Sequence, residues 1–196
     1  MPHASITPGL VAAAYFALSR FAYVVGVGVM LAGQDRFRRL TTRFGVEGGY
    51  RRFRRIAAFL MTNDGVSFVV LALLTRDTLP AGVTEAVPRG VVLAIGLALI
   101  LIGAGVKLWA ARTLGDDGYH WRNFFLPDAP IPRAGGPYRY LRNPMYTVGY
   151  LQTYGLALLL ASLPALLGAG IAQGSILLFH WLVERPHYHR QLRVES

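Results

Sequence analysis

Apolar residues in this chain form long runs separated by short polar stretches. The runs lie at residues 9–31, 56–75, 90–111 and 145–183, and each of the first three is about as long as a helix that crosses the roughly 30 Å hydrocarbon core of a bilayer. The last run is too long for one crossing, and Ser162-Leu163-Pro164 near its middle predicts a tight reversal. The pattern predicts an all-α polytopic membrane protein with five spans, at residues 9–31, 56–75, 90–111, 145–162 and 165–183.

Composition agrees with a membrane protein. Of the 196 residues, 54% are hydrophobic and only 15% are charged, and the mean hydropathy is +0.40, which is more apolar than ordinary soluble domains. About half of the chain lies in the predicted spans, so we expect a single helical membrane domain. The chain has no cysteine, which excludes a disulfide framework, a thiolate metal site and a cysteine nucleophile.

Basic residues are distributed unevenly between the two sides of the predicted membrane. The net charge is +10, and sixteen arginines lie in residues 32–55, 112–142 and 184–196, whereas the other two loops hold only Arg76 and Arg89. The positive-inside rule then places the N-terminus outside and the C-terminus in the cytoplasm. Because the charges flank apolar spans, they indicate contact with anionic membrane lipids, and no nucleic-acid partner is expected.

The loop at residues 112–144 and the tail at 184–196 contain the most reactive residue types. The loop has Asp116, Asp117, His120 and Arg122, then a proline-rich stretch, then Gly-Pro-Tyr-Arg-Tyr-Leu-Arg-Asn-Pro-Met-Tyr over residues 136–146. Pro144 is suited to the first turn of the fourth span. A cluster of donors at a helix N-terminus favours binding of a carboxylate or phosphate. The same aromatic and basic residues are also typical of an interfacial belt that anchors helix ends.

The order of residues 136–146 resembles a motif of two families of integral-membrane enzymes. Isoprenylcysteine carboxyl methyltransferases and phospholipid N-methyltransferases share Gly-Pro-Tyr-x-x-x-Arg-(His or Asn)-Pro-x-Tyr, then a helical hairpin, then a Glu-Glu-Pro-type motif on the cytoplasmic side. Here the last motif is Glu184-Arg185-Pro186, and the likeness extends over residues 107–191. Asn143 stands where the carboxyl methyltransferases have His, as in the phospholipid enzymes. Arg185 replaces the second Glu of that motif. The replacement removes one carboxylate that could contact the ammonium of S-adenosylmethionine, the methyl donor of these families.

The resemblance implies an S-adenosylmethionine-dependent methyltransferase with its active site on the cytoplasmic side. It implies a lipid substrate that enters from the bilayer, and the favoured acceptor is the amine of a phospholipid. The implied cofactor-binding residues are Gly136, Pro137, Tyr138, Arg142, Asn143, Tyr146 and Glu184, of which Gly136 and Pro137 shape the loop.

An amine acceptor must lose a proton before it attacks a methyl group, so an enzyme that methylates an amine needs a base. Asp116 or His120 is predicted to accept this proton, and Arg122 is predicted to be free to bind the lipid phosphate. No metal site is predicted, since His187-x-His189 lacks a third ligand and is interpreted as a solvated pair.

Two alternatives stay open from the sequence. A prenylated cysteine carboxylate needs no base, and Arg139 or Arg142 would then position it. Alternatively, the chain is a non-catalytic membrane subunit whose basic loops bind anionic lipid or a partner protein. The sequence does not indicate an oligomeric state.

Three charged residues are predicted to lie within the spans. Arg20 and Asp64 occur at matching depths, so they are predicted to form an ion pair, with Asn63 as a hydrogen-bonding neighbour. Lys107 is predicted to extend to the cytoplasmic face.

Overall fold

The computed structural model of the chain describes residues 7–126 and 135–194, and these residues form only helices and turns. The proline-rich stretch of the predicted loop, at residues 127–132, lies outside the described residues, as do the last two residues of the tail. The helices are α1 (Pro8–Phe37), α2 (Arg39–Phe44), α3 (Val46–Leu74), α4 (Ala81–Ala86), α5 (Arg89–Tyr119), α6 (Leu151–Leu159), α7 (Leu163–Phe179) and α8 (Arg185–Val194). Short 3₁₀ turns occur at Arg122–Phe124, Gly136–Arg139 and Val148–Tyr150, and π turns at Ala22–Gly26 and His180–Glu184.

The predicted all-α membrane fold is confirmed, but the count of five spans is not. Within the described residues, four helical stretches are long and apolar enough to cross a membrane: Pro8–Phe37, Val46–Leu74, Arg89–Phe124 and Leu163–Arg190. The predicted fourth span is not among them, because α6 has only 9 residues. The prediction that its helix begins at Pro144 is also wrong. Residues 144–147 form hydrogen-bonded turns, and the α-helix starts at Leu151 after a 3₁₀ turn.

The predicted reversal between α6 and α7 is present at residues 160–162. Ala161 has a positive φ of 50°, and Ser162 caps α7 by accepting a hydrogen bond from the Ala165 N–H at 3.1 Å. The chain after α3 is tied to the same turn, since the Thr75 and Ser162 hydroxyls lie 2.6 Å apart. These bonds join the ends of three helices on the side opposite to the site described below.

Helix α5 packs very closely against α6 because glycines face each other. A β-carbon at Gly103 would lie 2.4 Å from the Gln152 amide nitrogen, and one at Gly155 would lie 2.5 Å from the Gly96 carbonyl oxygen. Any larger side chain would force the two backbones apart. Close packing of small residues is the usual way in which helices associate in a membrane.

Buried aromatic rings connect α3, α7 and the segment after α5. The Phe53 ring lies 5.2 Å from Phe125 and 6.2 Å from Trp121, and Trp121 lies 5.7 Å from Phe179. All four residues are buried. The cluster fixes the indole of Trp121 beside the last turns of α7, where the candidate site begins.

Candidate active site

A buried carboxylate, Glu184, is the centre of the candidate site, and its residue is only 4% exposed. Its Oε1 accepts hydrogen bonds from Trp121 Nε1 at 2.5 Å and from Tyr146 Oη at 2.7 Å. His180 Nδ1 lies 2.5 Å from Oε2. No lysine or arginine of the described chain forms an ion pair with Glu184. Neutral donors and a histidine therefore hold a carboxylate that has no fixed cation as its partner.

Helix geometry brings His180 and Glu184 together. The two residues are four positions apart and lie on the same side of the π turn at His180–Glu184. Turns of this type occur often at functional sites, because the extra residue redirects the side chains that follow.

Tyr146 reaches Glu184 from the turns that precede α6. The Tyr146 N–H donates to the Asn143 carbonyl at 3.1 Å, which closes the turn. The Gln173 amide on α7 donates to the carbonyls of Tyr146 and Thr147, both at 3.2 Å. Tyr154 holds Gln173 in place by donating to its Oε1 at 2.8 Å. The Tyr146 segment is thus fastened to the helix that leads to Glu184.

Backbone bends after α5 position Trp121. Gly115 has a φ of 68° inside α5, which interrupts the helix, and Trp121 itself has a φ of 54°. A left-handed conformation is costly for a bulky residue. The aromatic cluster and the bond to Glu184 hold Trp121 in this conformation.

A cavity of about 240 Å³ adjoins Glu184 and is walled by Trp121, His180, Tyr188 and most of the predicted cofactor-binding residues. Those residues are Tyr138, Arg142, Asn143, Tyr146 and Glu184. Burial and the nearby Glu184 raise the pKa of Tyr138, so its phenol remains a neutral donor at physiological pH.

Gly136 and Pro137 do not line this cavity. Gly136 has a φ of 51°, and a β-carbon there would lie 2.3 Å from the Thr113 hydroxyl. Both the backbone conformation and the space therefore require glycine. The two residues set the course of the loop and present Tyr138 to the cavity.

A second cavity of about 690 Å³ lies among α1, α3, α5 and the segment around α6. It shares Tyr119, Trp121, Met145 and Tyr146 with the cavity beside Glu184. Most of its remaining wall is apolar, and its charged lining residues are Arg20, Asp64 and Lys107. These four shared residues form a common wall, so the two cavities are neighbours.

The two candidate bases occupy different environments. His120 lines the larger cavity. Its Nδ1 is 3.3 Å from Asp116 Oδ1. Asp116 lines neither cavity; its side chain is 58% exposed and forms an ion pair with Arg54 at 2.7 Å. The structure thus brings His120, but not Asp116, to the site.

Arg122 is not free, contrary to the prediction. Its guanidinium donates to Asp117 at 2.5 Å and to Glu47 at 2.8 Å, and it lines neither cavity. Glu47 belongs to the start of α3 and is distant in sequence, so its pairing with Arg122 was not visible from the loop alone.

Three residues of the site were missed by the sequence analysis. His180 could have been found from its position four residues before Glu184, on the same helix face. Trp121 and Tyr188 carry no such signal, because the bends after α5 and the π turn before α8 bring them to the cavity.

The predicted ion pair in the membrane interior is confirmed. Arg20 Nη1 lies 2.7 Å from Asp64 Oδ2. Asn63, however, bonds to Ser19 at 2.8 Å and to Tyr15 at 2.8 Å and not to the pair.

Two further predictions about charged side chains are corrected. Lys107 lines the larger cavity, with its ammonium 5.6 Å from the ring centroid of Tyr150, so it faces the interior of the bundle. His187 is buried and not solvated. Its Nδ1 lies 2.8 Å from Asp35 Oδ1, and its ring stacks on Phe124 at 3.7 Å. In the described part of the chain no group of three or more potential ligands is placed to hold a metal ion.

The fold and site together define a helical membrane protein in which the buried carboxylate of Glu184 shares one cavity with Tyr138, Arg142, Asn143 and Tyr146, the residues that follow the Gly-Pro turn. The family model for phospholipid methyltransferases matches residues 91–193, which is more than half of the chain. The chain therefore belongs to the phospholipid methyltransferase family, and the resemblance noted from residues 136–146 is confirmed for the phospholipid branch.

Similar curated proteins carry the name phosphatidylethanolamine N-methyltransferase. The chain is 29% identical to the protein of Malassezia globosa, with 91% of this chain and 22% of that protein covered. It is 32% identical to the Emericella nidulans protein over 69% of this chain and 14% of that protein. It is 29% identical to the Coccidioides posadasii protein over 97% of this chain and 21% of that protein. The chain thus spans about a seventh to a fifth of the length of these relatives. No solved structure matches it.

Proposed function

We propose that this chain is an integral-membrane methyltransferase that transfers a methyl group from S-adenosylmethionine to the amine of a phospholipid of the phosphatidylethanolamine type. The observation that carries the proposal is the hydrogen bond of 2.7 Å between Tyr146 and Glu184. It joins the two motifs at one cavity, and that cavity adjoins a larger one among the membrane helices.

The residues around the smaller cavity suit S-adenosylmethionine. A carboxylate has about four lone-pair positions, and three donors contact Glu184, so one position is available for an ammonium group. Arg142 supplies a guanidinium for the cofactor carboxylate. The rings of Tyr138, Tyr146 and Tyr188 provide faces that attract a cation. When bound, the cofactor supplies an electrophilic methyl group on a sulfonium.

His120 supports the assignment of an amine acceptor. A protonated amine cannot attack, and the imidazole of a histidine in the cavity wall is a group that can accept its proton. Asp116, 3.3 Å from His120 Nδ1, acts here as a positioning residue, which revises its predicted role as a base. The apolar remainder of the larger cavity excludes water from the acceptor.

The distribution of basic residues supports an orientation with the smaller cavity on the cytoplasmic side and the N-terminus outside. Eight arginines lie in residues 32–55, beside that end of the bundle, where anionic lipid headgroups would contact them.

Methyl transfer from radiolabelled S-adenosylmethionine tests the proposal directly. The chain in lipid nanodiscs is expected to label phosphatidylethanolamine and not a farnesyl-cysteine analogue. Label only on the cysteine analogue would replace the amine by a carboxylate acceptor. Label on neither, together with no thermal stabilisation by the cofactor, would instead favour a non-catalytic subunit. A ligand at a hundred times its Kd should stabilise the protein by about 2.7 kcal/mol.

The variant His120→Gln tests, in the same assay, whether His120 is the general base. Loss of a general base is expected to lower kcat by roughly a hundredfold or more, without loss of cofactor affinity. His189→Gln, on α8, is the matched control and should leave kcat unchanged. Equal values of kcat for the His120→Gln variant and the unaltered chain would show that His120 is not the general base.

A further inference from the structure

Lys107 is an intramembrane cation whose ammonium contacts no carboxylate directly, although it lines the same cavity as Asp64. Its ammonium lies near the face of Tyr150, and it forms no hydrogen bond or ion pair with any residue of the described chain. The stem of the side chain is held against the 3₁₀ turn before α6, since a β-carbon at Gly149 would lie 3.3 Å from Lys107 Cβ. An ammonium inside a membrane domain is costly, and an intramembrane ionisable residue that faces a cavity is by default a candidate functional residue.

Asp64, which lines the same cavity, has one unused oxygen. Its Oδ2 is bound by Arg20, whereas its buried Oδ1 has no hydrogen-bond partner within the described residues. Arg20 itself is fully engaged: it also donates to Tyr150 at 3.1 Å, to Ser175 at 2.8 Å and to the Ala172 carbonyl. Arg20 thus holds the acid in place, and Lys107 is the cation of this group that is available to a ligand.

The charges of this group specify the ligand. Arg20 and Lys107 are positive and Asp64 is negative, so the cavity has an excess of one positive charge. A group with a single negative charge neutralises it, whereas a second negative charge would face the unpaired Oδ1 of Asp64. In a medium of low dielectric constant, the repulsion between a second negative charge and Asp64 costs much free energy. A phosphodiester has one negative charge, and a phosphomonoester has up to two.

We propose that Lys107 binds the phosphodiester of the lipid acceptor inside the larger cavity, and that the free Oδ1 of Asp64 excludes headgroups with a second negative charge at that position. This inference rests on the proposed function, because it names the site that holds the same acceptor. His120 and Tyr146 line the same cavity as Lys107, so the phosphate and the amine of the acceptor would share that cavity. Lys107 therefore takes the role that the sequence assigned to Arg122.

Lipid binding without any methyl donor tests the site independently of catalysis. Native mass spectrometry of the purified chain would measure the affinity for phosphatidylethanolamine, for phosphatidate and for diacylglycerol with the same acyl chains. Lys107→Met is expected to weaken phosphatidylethanolamine at least about tenfold and to leave diacylglycerol unchanged. Lys107→Arg should restore most of the affinity. Arg112→Met, which removes an exposed charge from the same helix, is the matched control and should have no effect.

The unaltered chain provides a measurement that needs no variant. It should bind phosphatidylethanolamine at least about tenfold more tightly than either diacylglycerol or doubly charged phosphatidate. Diacylglycerol bound as tightly as phosphatidylethanolamine would overturn the role of Lys107. Phosphatidate bound as tightly would overturn the role of Asp64.

The outcomes separate this inference from the proposed function. Lys107-dependent binding without methyl transfer would support the lipid site and reject the enzymatic proposal. Methyl transfer with the same lipid KM in Lys107→Met and in the unaltered chain would support the enzyme and overturn the site. Melting curves with S-adenosylmethionine show that each variant is folded.

Discussion

Glu184 and Asp64 are both largely buried carboxylates, but the protein holds them in opposite ways. Asp64 forms an ion pair with Arg20 at 2.7 Å inside the membrane bundle, and both side chains are largely buried. Glu184 is held by Trp121, Tyr146 and His180, none of which is a permanent cation. A buried charge with a counter-ion becomes costly when that counter-ion is removed, whereas a buried carboxylate without a permanent counter-ion is suited to a cation from outside.

The two carboxylates therefore have different roles: Asp64 helps to link helices, and Glu184 faces a cavity that can hold a ligand. The Arg20–Asp64 pair links α1 to α3, and the further bonds of Arg20 reach Tyr150 and α7. Glu184 instead collects donors from three segments around an open cavity. Variants of the two clusters should therefore affect different quantities, the free energy of unfolding in one case and ligand affinity in the other.

The largest effect is expected from Arg20→Met. Removing the arginine leaves Asp64 buried without a counter-ion, which typically costs about 3–5 kcal/mol. Thermal unfolding in detergent should show a large fall in the melting temperature. The double variant Arg20→Met/Asp64→Leu should regain most of the loss, because it removes both charges. Arg76→Met, an exposed arginine, is the control. An unchanged melting temperature for the single variant would show that the pair has no structural role.

Glu184→Gln should change binding far more than stability. The glutamine carbonyl can still accept from Trp121 and Tyr146, but the charge that is proposed to attract the ammonium of S-adenosylmethionine is lost. Hydrogen bonds to charged groups are worth about 1.5–3 kcal/mol, so the affinity for S-adenosylmethionine should fall by roughly ten- to a hundredfold. Isothermal titration would measure it, with the exposed Glu85→Gln as the matched control. An unaltered Kd would contradict the placement of the cofactor beside Glu184.

Tyr146→Phe should have a smaller effect on the same affinity. It removes one neutral donor to Glu184 while Trp121 remains, so a loss of about 1 kcal/mol, or roughly fivefold in Kd, is expected. Tyr15→Phe removes an equivalent bond, to Asn63 at 2.8 Å, on the Asp64 side of the molecule. It should lower stability by a similar amount and leave the cofactor Kd unchanged. If both variants weakened cofactor binding equally, the two clusters would not be independent.

Features set by position along the chain were predictable. Arg20 and Asp64 lie at matching depths in their spans, and a charge in hydrocarbon must find a partner, so their pairing followed from the sequence. The meeting of Tyr146 and Glu184 followed from two motifs separated by a helical hairpin. The reversal at residues 160–162 followed from Ser162 and Pro164, which cap and begin α7.

Features set by backbone bends and distant partners were not predictable. Hydropathy could not show that the apolar residues before the reversal form only a 9-residue helix after a run of turns. Asp116 and His120 are both polar loop residues in the sequence, and the bend at Gly115 helps decide which of them faces the cavity. Pairing of Arg122 with Glu47 requires α3 to be placed beside the loop, which no local pattern contains.

Arg122→Gln should have the smallest effect. It distinguishes between Arg122 and Lys107 as the residue that binds the lipid phosphate. The Arg122 side chain is 29% exposed and paired with two still more exposed acids, Asp117 and Glu47, so water compensates for its loss. We expect no change in the lipid KM and little change in the melting temperature, whereas Lys107→Met should raise the lipid KM. A tenfold rise in KM for Arg122→Gln, with no rise for Lys107→Met, would show that Arg122 binds the lipid phosphate and that Lys107 does not. Because both variants remove one positive charge, only the position of that charge distinguishes the outcomes.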